Sequence, residues 1–171
     1  GTVAGCLFAA CEAPLGAGIL LDWGTTLVVC NSTFSSCSAT GNYGCGGAVF
    51  LDQGSTATLN NSILWGNSAQ MEGHEIYVAS TACSVTLNYC DIEKSGNGYG
   101  GCTGQIDDTN GCQNADPLFK DPSSYDYHLS QNSPCIDAGD NTLIPAGLNE
   151  DLDGNPRIVN NVVDMGCYEY Q

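Results

Sequence analysis

The sequence predicts an all-β protein: a right-handed parallel β-helix of about three to four coils, followed by a loop-rich C-terminal closing segment. Three observations support this fold class. Gly, Asn, Ser, Thr and Val are abundant, whereas the helix formers Lys, Arg, Met and Glu are scarce. Blocks of 16 residues repeat in register along the chain. No segment is long enough for a crossover helix between the short apolar runs.

The repeat is clearest in three aligned blocks. Residues 19–34 (ILLDWGTTLVVCNSTF) match residues 49–64 (VFLDQGSTATLNNSIL) at a constant offset of 30 without a gap. Residues 76–92 (IYVASTACSVTLNYCDI) form a third copy with one extra residue in a turn. Short β-branched and apolar runs separated by Gly, Asn, Ser and Asp turns are typical of coils that stack on one another.

The domain organisation follows from where the repeat ends. We assign residues 1–93 to the β-helix coils, 94–113 to a Gly/Cys-rich loop and 114–171 to an Asp-rich C-terminal capping segment. An antiparallel sandwich with strands of similar length is the alternative. A sandwich, however, does not need in-register repetition of whole blocks.

The charge balance argues against two classes of partner. The chain has 19 acidic and 3 cationic side chains, which gives a net charge of −16. Nucleic acids and anionic lipid surfaces both need Lys or Arg to neutralise them. No stretch approaches the roughly 18 consecutive apolar residues of a membrane span. We therefore expect neither nucleic-acid binding nor membrane insertion.

The 11 cysteines indicate an exported protein. Disulfides persist in oxidising compartments, and no C-x-x-C pair suggests a zinc site instead. We therefore expect a secreted, extracellular or cell-surface protein. Within the Gly/Cys-rich loop, we expect Cys102 to pair with Cys112. The odd number leaves at least one cysteine free or bonded to another molecule.

Stacking places further cysteines in contact. The hexapeptide CLFAAC at 6–11 matches STFSSC and SILWGN in the next two coils, so Cys11, Cys37 and Asn67 share one column. Residues in neighbouring coils lie about 4.8 Å apart, which is within the Cα range of a disulfide. We therefore expect a Cys11–Cys37 bond. The amide of Asn67 is expected to bond backbone groups of a neighbouring coil.

The last third of the chain carries a specific set of motifs. These are DPLF, the stretch 127–129, SPCIDAGD, DLDGNPR and VDMGCYEY. Together they resemble the C-terminal region of bacterial right-handed β-helix proteins with a choice-of-anchor Q domain. The upstream GGAV and NSTF segments are similar to the coils of the same proteins. The resemblance implies this architecture and a surface location, without implying one activity.

The resemblance also implies a third disulfide. The family pattern has a small residue, usually Ala, in SPxIDAG and in GxYEY, whereas this chain has Cys135 and Cys167 at these places. The paired replacement implies a Cys135–Cys167 bond that ties the two segments together. The other cysteines also depart from the cysteine-poor family, which suggests exposure to harsh or proteolytic conditions.

The Asp-rich segment carries the candidate metal site. Asp151, Asp153 and Asn155 alternate as in a D-x-D-G-N calcium loop, and Asp164 follows. The Glu of an EF-hand is missing at the twelfth loop position, so the site is not an EF-hand. Calcium is the cofactor that we expect. The alternative is that these carboxylates cap turns by accepting backbone N–H bonds and pair with Arg157.

The sequence shows no catalytic apparatus. A polysaccharide lyase needs cations near the substrate carboxylate and a basic residue, and only three cationic side chains exist. Carboxylates for a hydrolase would have to come from Asp22, Asp52 or the pair at 107–108, which are typical of solvated turns. The two histidines, His74 and His128, lack a nucleophile motif, and we expect them to be structural.

Aromatic side chains offer an alternative binding surface. Exposed rings on one face of a β-helix can stack on sugars. The candidates are Trp23, Trp65, Tyr77, Tyr89, Tyr99, Tyr125 and Tyr127. Packing in the core or in a turn is an equally good explanation for each.

These observations favour a non-catalytic extracellular or cell-surface module with a structural or adhesive function. A glycan-binding module and the C-terminal part of a β-helix polysaccharide lyase or hydrolase are the alternatives. The chain opens within a coil at Gly1, so the first strands present unpaired edges. We expect upstream coils or a second copy to cover them, in the latter case head to tail as a filament.

Overall fold

The computed structural model describes residues 1–171 and contains almost no helix. Its strands are β1 (Thr2–Ala4), β2 (Leu7–Ala9), β3 (Glu12–Ala13), β4 (Ile19–Leu21), β5 (Thr26–Cys30), β6 (Thr33–Ser35), β7 (Ser38–Ala39), β8 (Val49–Leu51), β9 (Thr56–Asn60), β10 (Ile63–Trp65), β11 (Ser68–Ala69), β12 (Ile76–Val78), β13 (Ser84–Asn88), β14 (Asp91–Ile92), β15 (Tyr99–Gly101), β16 (Ile106–Asn110), β17 (Phe119–Asp121) and β18 (Asp126–Leu129). Three single-turn 3-10 helices span Thr103–Gln105, Pro122–Ser124 and Asn141–Leu143. No helix is long and apolar enough to cross a membrane.

Four parallel sheets run along the solenoid. Sheet A has the strand order β1-β5-β9-β13-β16, sheet B has β2-β6-β10-β14, sheet C has β3-β7-β11, and sheet D has β4-β8-β12-β15. Each complete coil contributes one strand to each sheet in the order A, B, C, D. The antiparallel hairpin β17-β18 is separate from these sheets. The predicted fold class is thus confirmed as a parallel β-solenoid of about three turns.

The register of the sheets confirms the repeat alignment. Val49 pairs with Ile19 in the preceding coil and with Ile76 in the following coil. Leu7 pairs with Thr33, as expected from the match between the hexapeptides of the first two coils. Equivalent residues therefore lie directly above one another, and a contact in one coil has counterparts in its neighbours.

The coils extend further than expected. The segment 94–113, expected to be a loop, contains β15 and β16, which add a strand to sheets D and A. The prediction of a loop was wrong here because glycines obscured the strand pattern. A Cβ at Gly100 would lie 2.9 Å from the Tyr77 ring, and one at Gly101 only 2.2 Å from the Val78 carbonyl oxygen. Close approach of the preceding coil thus requires glycine at both positions.

The corner between sheets A and B is built on a column of left-handed residues. Their φ angles are 62° for Gly5, 45° for Asn31, 48° for Asn61, 51° for Tyr89 and 66° for Gly111. Glycine and asparagine tolerate this region better than other residues. The repeated Asn and Gly therefore mark this corner in four of the five coils, and Tyr89 occupies it in the remaining one.

The interior of the solenoid holds the main apolar core. This cluster of 16 buried residues comes from all the parallel sheets except C, and partly buried side chains such as Phe8 pack against it. The rings of Phe8 and Phe34 stack with centroids 4.5 Å apart. In-register stacking brings like side chains together, which explains why the interior repeats with the coil.

Polar side chains also stack from coil to coil. Asn110 donates to the Oδ1 of Asn88 over 2.9 Å, and Asn88 donates to the Oδ1 of Asn60 over 2.9 Å. These residues end successive strands of sheet A. The ladder satisfies amide groups that would otherwise be left unpaired at the corner.

Residues 114–171, which we call the flanking segment, lie along the outer face of sheet B. Leu129, Cys135 and Met165 form a second apolar cluster with Ile63 of β10. The side-chain amide of Asn61 donates to the Asp140 carbonyl over 3.0 Å and accepts from the Asp140 N–H over 2.8 Å. This segment was expected to cap the coil stack, but it runs beside the coils instead.

Candidate functional site

The four predicted calcium ligands do not converge on one point. Asp151 Oδ1 accepts the N–H groups of Asp153 (2.9 Å) and Asn155 (2.8 Å). Asp164 accepts the N–H groups of Asp137 and Tyr170, both over 2.7 Å. No group of three or more His, Cys, Asp or Glu side chains gathers in a metal-binding arrangement. The geometry agrees with the capping alternative, and calcium binding stays a prediction.

The pKa values of these carboxyl groups reflect their surroundings. Burial alone would raise the pKa of Asp151, but the N–H groups of Glu169 and Asn155 outweigh this effect and lower it. Burial raises the pKa of Asp164 despite its two N–H bonds. Asp151 is thus held ionised as a turn cap, while the proton affinity of Asp164 is increased.

A buried ion pair lies next to these turns. Arg157 and Glu169 are both enclosed, with side-chain exposures of 1% and 0%. Glu169 Oε1 accepts from Arg157 Nε over 3.0 Å and from Nη2 over 2.5 Å, while Nη1 donates to the Cys167 carbonyl over 3.2 Å. In the alternative to calcium binding, Arg157 would pair with the Asp residues, but its partner is Glu169, which the sequence analysis did not single out.

Burial raises the pKa of Glu169 to about 7, although Arg157 opposes the shift. The second oxygen, Oε2, is buried and has no hydrogen-bond partner. Glu169 also lines a small cleft of about 200 Å³ together with Lys120, His128 and Asp153. The carboxyl group of Glu169 therefore binds a proton more tightly than an ordinary carboxyl group does, and it is shielded from water. Its ion pair with Arg157 connects the end of the chain to the Asp-rich turns.

His128 is clamped between two carboxylates. Its Nδ1 lies 2.5 Å from Asp126 Oδ1 and its Nε2 lies 2.7 Å from Asp153 Oδ2, while the ring stacks on Tyr168 with centroids 4.0 Å apart. Burial lowers the pKa of His128, but the bonds to Asp153 and Asp126 outweigh it, so the pKa is raised. Because both ring nitrogens are occupied by carboxylates, this histidine is arranged to hold two turns together.

Of the acidic residues considered for hydrolysis, Asp22 and Asp52 occupy turns, whereas the pair at 107–108 lies in β16. Asp22 Oδ1 accepts the N–H of Trp23, and Asp52 Oδ1 accepts the N–H of Gln53, each over 2.7 Å. Asp108 forms an ion pair with Lys94 over 2.6 Å. The carboxylates of Asp22 and Asp52 thus cap turns, as the turn interpretation of the sequence expects, whereas Asp108 forms its ion pair from a strand.

The coil column of cysteines is present as predicted. Ser38 N donates to the Cys11 carbonyl over 2.8 Å, which places Cys11 and Cys37 in register. Asn67 continues the column: its Oδ1 accepts from Cys37 N over 2.8 Å and its Nδ2 donates to the Phe34 carbonyl over 3.0 Å. The predicted bonding of Asn67 to the neighbouring coil is thus confirmed.

The structure contains no disulfide bond, so the three expected bonds stay predictions. Cys135 Sγ lies 3.1 Å from Asp91 Oδ2, whereas the Cys167 N–H donates to Thr33 Oγ1 over 3.2 Å. Cys112, which is expected to pair with Cys102, has Cys90 as its neighbour in the column of stacked residues. The bridge between Asp91 and Gln113, the next residues along the chain, sets this register.

The aromatic candidates separate into buried and exposed groups. Tyr127 is only 1% exposed, and Trp65 and Tyr89 pack against the second apolar cluster. Tyr99 packs against the interior core. Of the seven candidates, Trp23 and Tyr125 are exposed, whereas Tyr77 is half-buried.

An apolar groove lies on the outer face of sheet D. It has a volume of about 350 Å³, and seven of its eight lining residues are apolar. Phe50 and Tyr77 stack at its base with centroids 5.3 Å apart, and Tyr43 and Met71 line it with exposures of 81% and 55%. The sequence analysis missed all of these except Tyr77. The signal in the sequence that could have revealed these residues is an apolar side chain at the middle position of each sheet D strand, which points outward.

Comparison with known protein families, curated proteins and solved structures finds no match to this chain.

Proposed function

We propose that the chain is a non-catalytic extracellular module with a structural and adhesive role, built on a β-solenoid. The C-terminal motifs support a choice-of-anchor Q type of segment at 114–171. The acidic composition and the many cysteines support a location outside the reducing cytosol. A further set of coils or a second copy of the chain is the proposed partner at the first-coil edges of the sheets.

The observation that carries this proposal is that one outer face of the solenoid is covered by the flanking segment, while another is open to solvent. The outer face of sheet B is covered by the flanking segment, whose Gly166 N–H donates to the Asn61 carbonyl over 2.8 Å. The outer face of sheet D keeps an open apolar groove. A solenoid braced on one side and open on another is suited to presenting a surface rather than enclosing a substrate.

The test of this role is localisation on intact cells. Antibodies raised against the purified chain are applied to non-permeabilised cells of the source organism, with a cytosolic protein as the negative control. Surface labelling, or recovery of the protein from the medium, supports the proposal. Detection only after lysis contradicts it.

Glycan binding is the second candidate, and the sheet D groove favours it. The groove presents the exposed ring of Tyr43 and the half-buried ring of Tyr77 as apolar surfaces on which sugar rings can pack. Trp23, 82% exposed, follows β4 of the same sheet. The dominant negative charge of the chain favours neutral over acidic saccharides.

A glycan array probed with the purified chain tests this second candidate. Trp23→Ala and Tyr77→Ala are expected to lower binding to neutral saccharides at least tenfold. Tyr125→Ala is the matched control, because this ring is 64% exposed but belongs to the β17-β18 connection. Binding that is equal in all variants, or absent from the array, removes glycan recognition at this groove.

A further inference from the structure

One corner of the solenoid carries a column of five similar side chains. Each follows a left-handed residue and donates to the carbonyl oxygen two residues earlier. The donors and their distances are Cys6 Sγ (3.3 Å), Ser32 Oγ (2.9 Å), Ser62 Oγ (2.9 Å), Cys90 Sγ (3.4 Å) and Cys112 Sγ (3.7 Å). Thiols therefore take the place of turn hydroxyls in three of the five coils.

Only two of these thiols have a thiol as their neighbour. Gln113 N donates to the Cys90 carbonyl over 2.9 Å, and the bridge between Asp91 and Gln113 keeps the two strands in register. Cys90 and Cys112 are thus stacked in adjacent coils, close enough for each thiol to shift the pKa of the other. Neighbouring parallel strands are about 4.8 Å apart, which suits the Cα separation of a disulfide.

We propose that Cys90 and Cys112 are a disulfide-forming pair that fastens β16 and the last turn of the solenoid to the coil before it. The oxidant is a small-molecule disulfide. The Cys112 thiolate attacks one of its sulfurs, forms a mixed disulfide and releases the first small thiolate. Cys90 then attacks the Cys112 sulfur and releases the second. Two protons leave the cysteines and end on the two small thiols.

The surroundings of the two thiols fit these roles. Cys112 is partly exposed, and its interaction with the neighbouring Cys90 thiol lowers its pKa. Cys90 is buried, and burial raises its pKa well above the usual value. The more accessible and more readily ionised thiol is therefore the one that meets the oxidant first, and the enclosed thiol completes the bond.

With this pairing, disulfide bonds would lie at both ends of the coil stack. The expected Cys11–Cys37 bond joins the first two coils, and Cys90–Cys112 joins the last two. The third coil, which lies between these two bonds, holds Ser62 and Asn67 at the equivalent positions. End coils of a stack have a neighbour on one side only and fray first, so covalent bonds at both ends act where the fold is weakest.

Peptide mapping of the oxidised full chain tests the proposal. The reduced protein is incubated with oxidised glutathione, quenched with acid, unfolded and alkylated. Cleavage before Asp91, Asp107 and Asp116 puts Cys90, Cys102 and Cys112 on separate peptides. Fragmentation of the linked product then distinguishes Cys90 from Cys83, which shares its peptide. We expect the Cys90 and Cys112 peptides to be linked in most molecules.

Two variants complete the test. Cys112→Ser is expected to abolish the link and leave Cys90 alkylated. Cys6→Ser is the matched control, because it makes the same change in the same column above a serine neighbour, and the link should persist. Linkage of Cys112 to Cys102, or alkylation of both Cys90 and Cys112 in the oxidised wild type, would overturn the proposal.

Discussion

Glu169 accepts two hydrogen bonds from Arg157 through a single oxygen and leaves its other oxygen buried without a partner. Replacing Arg157 by Met is expected to destabilise the protein by roughly 3 to 5 kcal/mol, because an unpaired carboxyl group remains inside. Urea unfolding measures this cost. The double variant Arg157→Met, Glu169→Leu is the control, and it should recover most of the loss. Equal stabilities of the single variant and the wild type would contradict the ion-pair interpretation.

The pH dependence of stability should carry the signature of Glu169. Its pKa is about 7 in the folded chain and about 4.3 in an unfolded one. The folded state binds this proton more tightly, so the contribution of Glu169 is full below about pH 4.3 and is lost as the pH rises through 7. Glu169→Gln should remove this decline in urea unfolding measured between these values. A slope identical to that of the wild type would show that Glu169 does not titrate there.

His128 gives a second, smaller pH effect. Its raised pKa means that its contribution is present below about pH 6.5 and is lost as the pH rises above that value. Because a third of the side chain is exposed, solvent screening limits the effect to about 1 kcal/mol or less. This contribution is measured by comparing the melting temperatures of the wild type and His128→Gln at about pH 5.5 and about pH 8.5, one value below and one above the ordinary histidine pKa. His74→Gln, which removes a histidine without an ion pair, is the matched control.

The amide ladder at the end of sheet A should be important for stability. Asn88→Ala removes its bonds to Asn60 and Asn110 and should destabilise the protein by about 1 to 3 kcal/mol, since the partners lose their acceptor or donor. Thr86→Ala changes an exposed residue of the same strand and serves as the control. Urea unfolding that gives the same midpoint for both variants would show that the ladder is not stabilising.

Calcium binding remains a prediction of the sequence. If Asp151, Asp153 and Asp164 bind an ion through their remaining lone pairs, added calcium should raise the melting temperature and a chelator should lower it. Asp151→Asn keeps an acceptor for the turn N–H groups but should weaken the ion's effect. A wild-type melting temperature indifferent to calcium and chelator would leave turn capping as the only role of these carboxylates.

Self-association should involve the strands of the first coil. β1, β2, β3 and β4 are each the edge strand of their sheet, and such edges pair readily with other strands. We expect light scattering to show concentration-dependent association, and Thr2→Lys to reduce it by placing a charge on the edge. Thr86→Lys adds the same charge away from this edge and should leave association unchanged. A monomer at every concentration would refute head-to-tail assembly.

The sequence was most informative where stacking makes structure repetitive. The in-register blocks fixed the pairing of Val49 with Ile19 and Ile76, because one offset applies to every residue of a coil. The Tyr-Gly-Gly strand was missed, because glycine has neither side chain nor strand preference to reveal it. The approximate number of coils was therefore easier to predict than the residue at which the last coil ends.

The flanking segment was much harder to anticipate. Arg157 and Glu169 are 12 residues apart in irregular chain, where no periodicity relates them. Tyr127 was a candidate for sugar stacking, but docking of the segment buries it and brings its hydroxyl to 3.3 Å from Ser36. Such contacts depend on how two pieces of chain meet, and a single sequence holds no local pattern for this.

The contacts between the flanking segment and the coils also limit how this protein can change in length. The segment reaches Gln113, Asn61 and Thr33 in three different coils, through Pro134, Asp140 and Cys167. A solenoid can ordinarily gain or lose a repeat by duplication or deletion, since each repeat needs only its neighbours. Here an inserted coil between these points would displace every later contact by about 4.8 Å. The flanking segment therefore fixes the number of coils between its contact points. A coil can be gained or lost during evolution only outside this part of the solenoid.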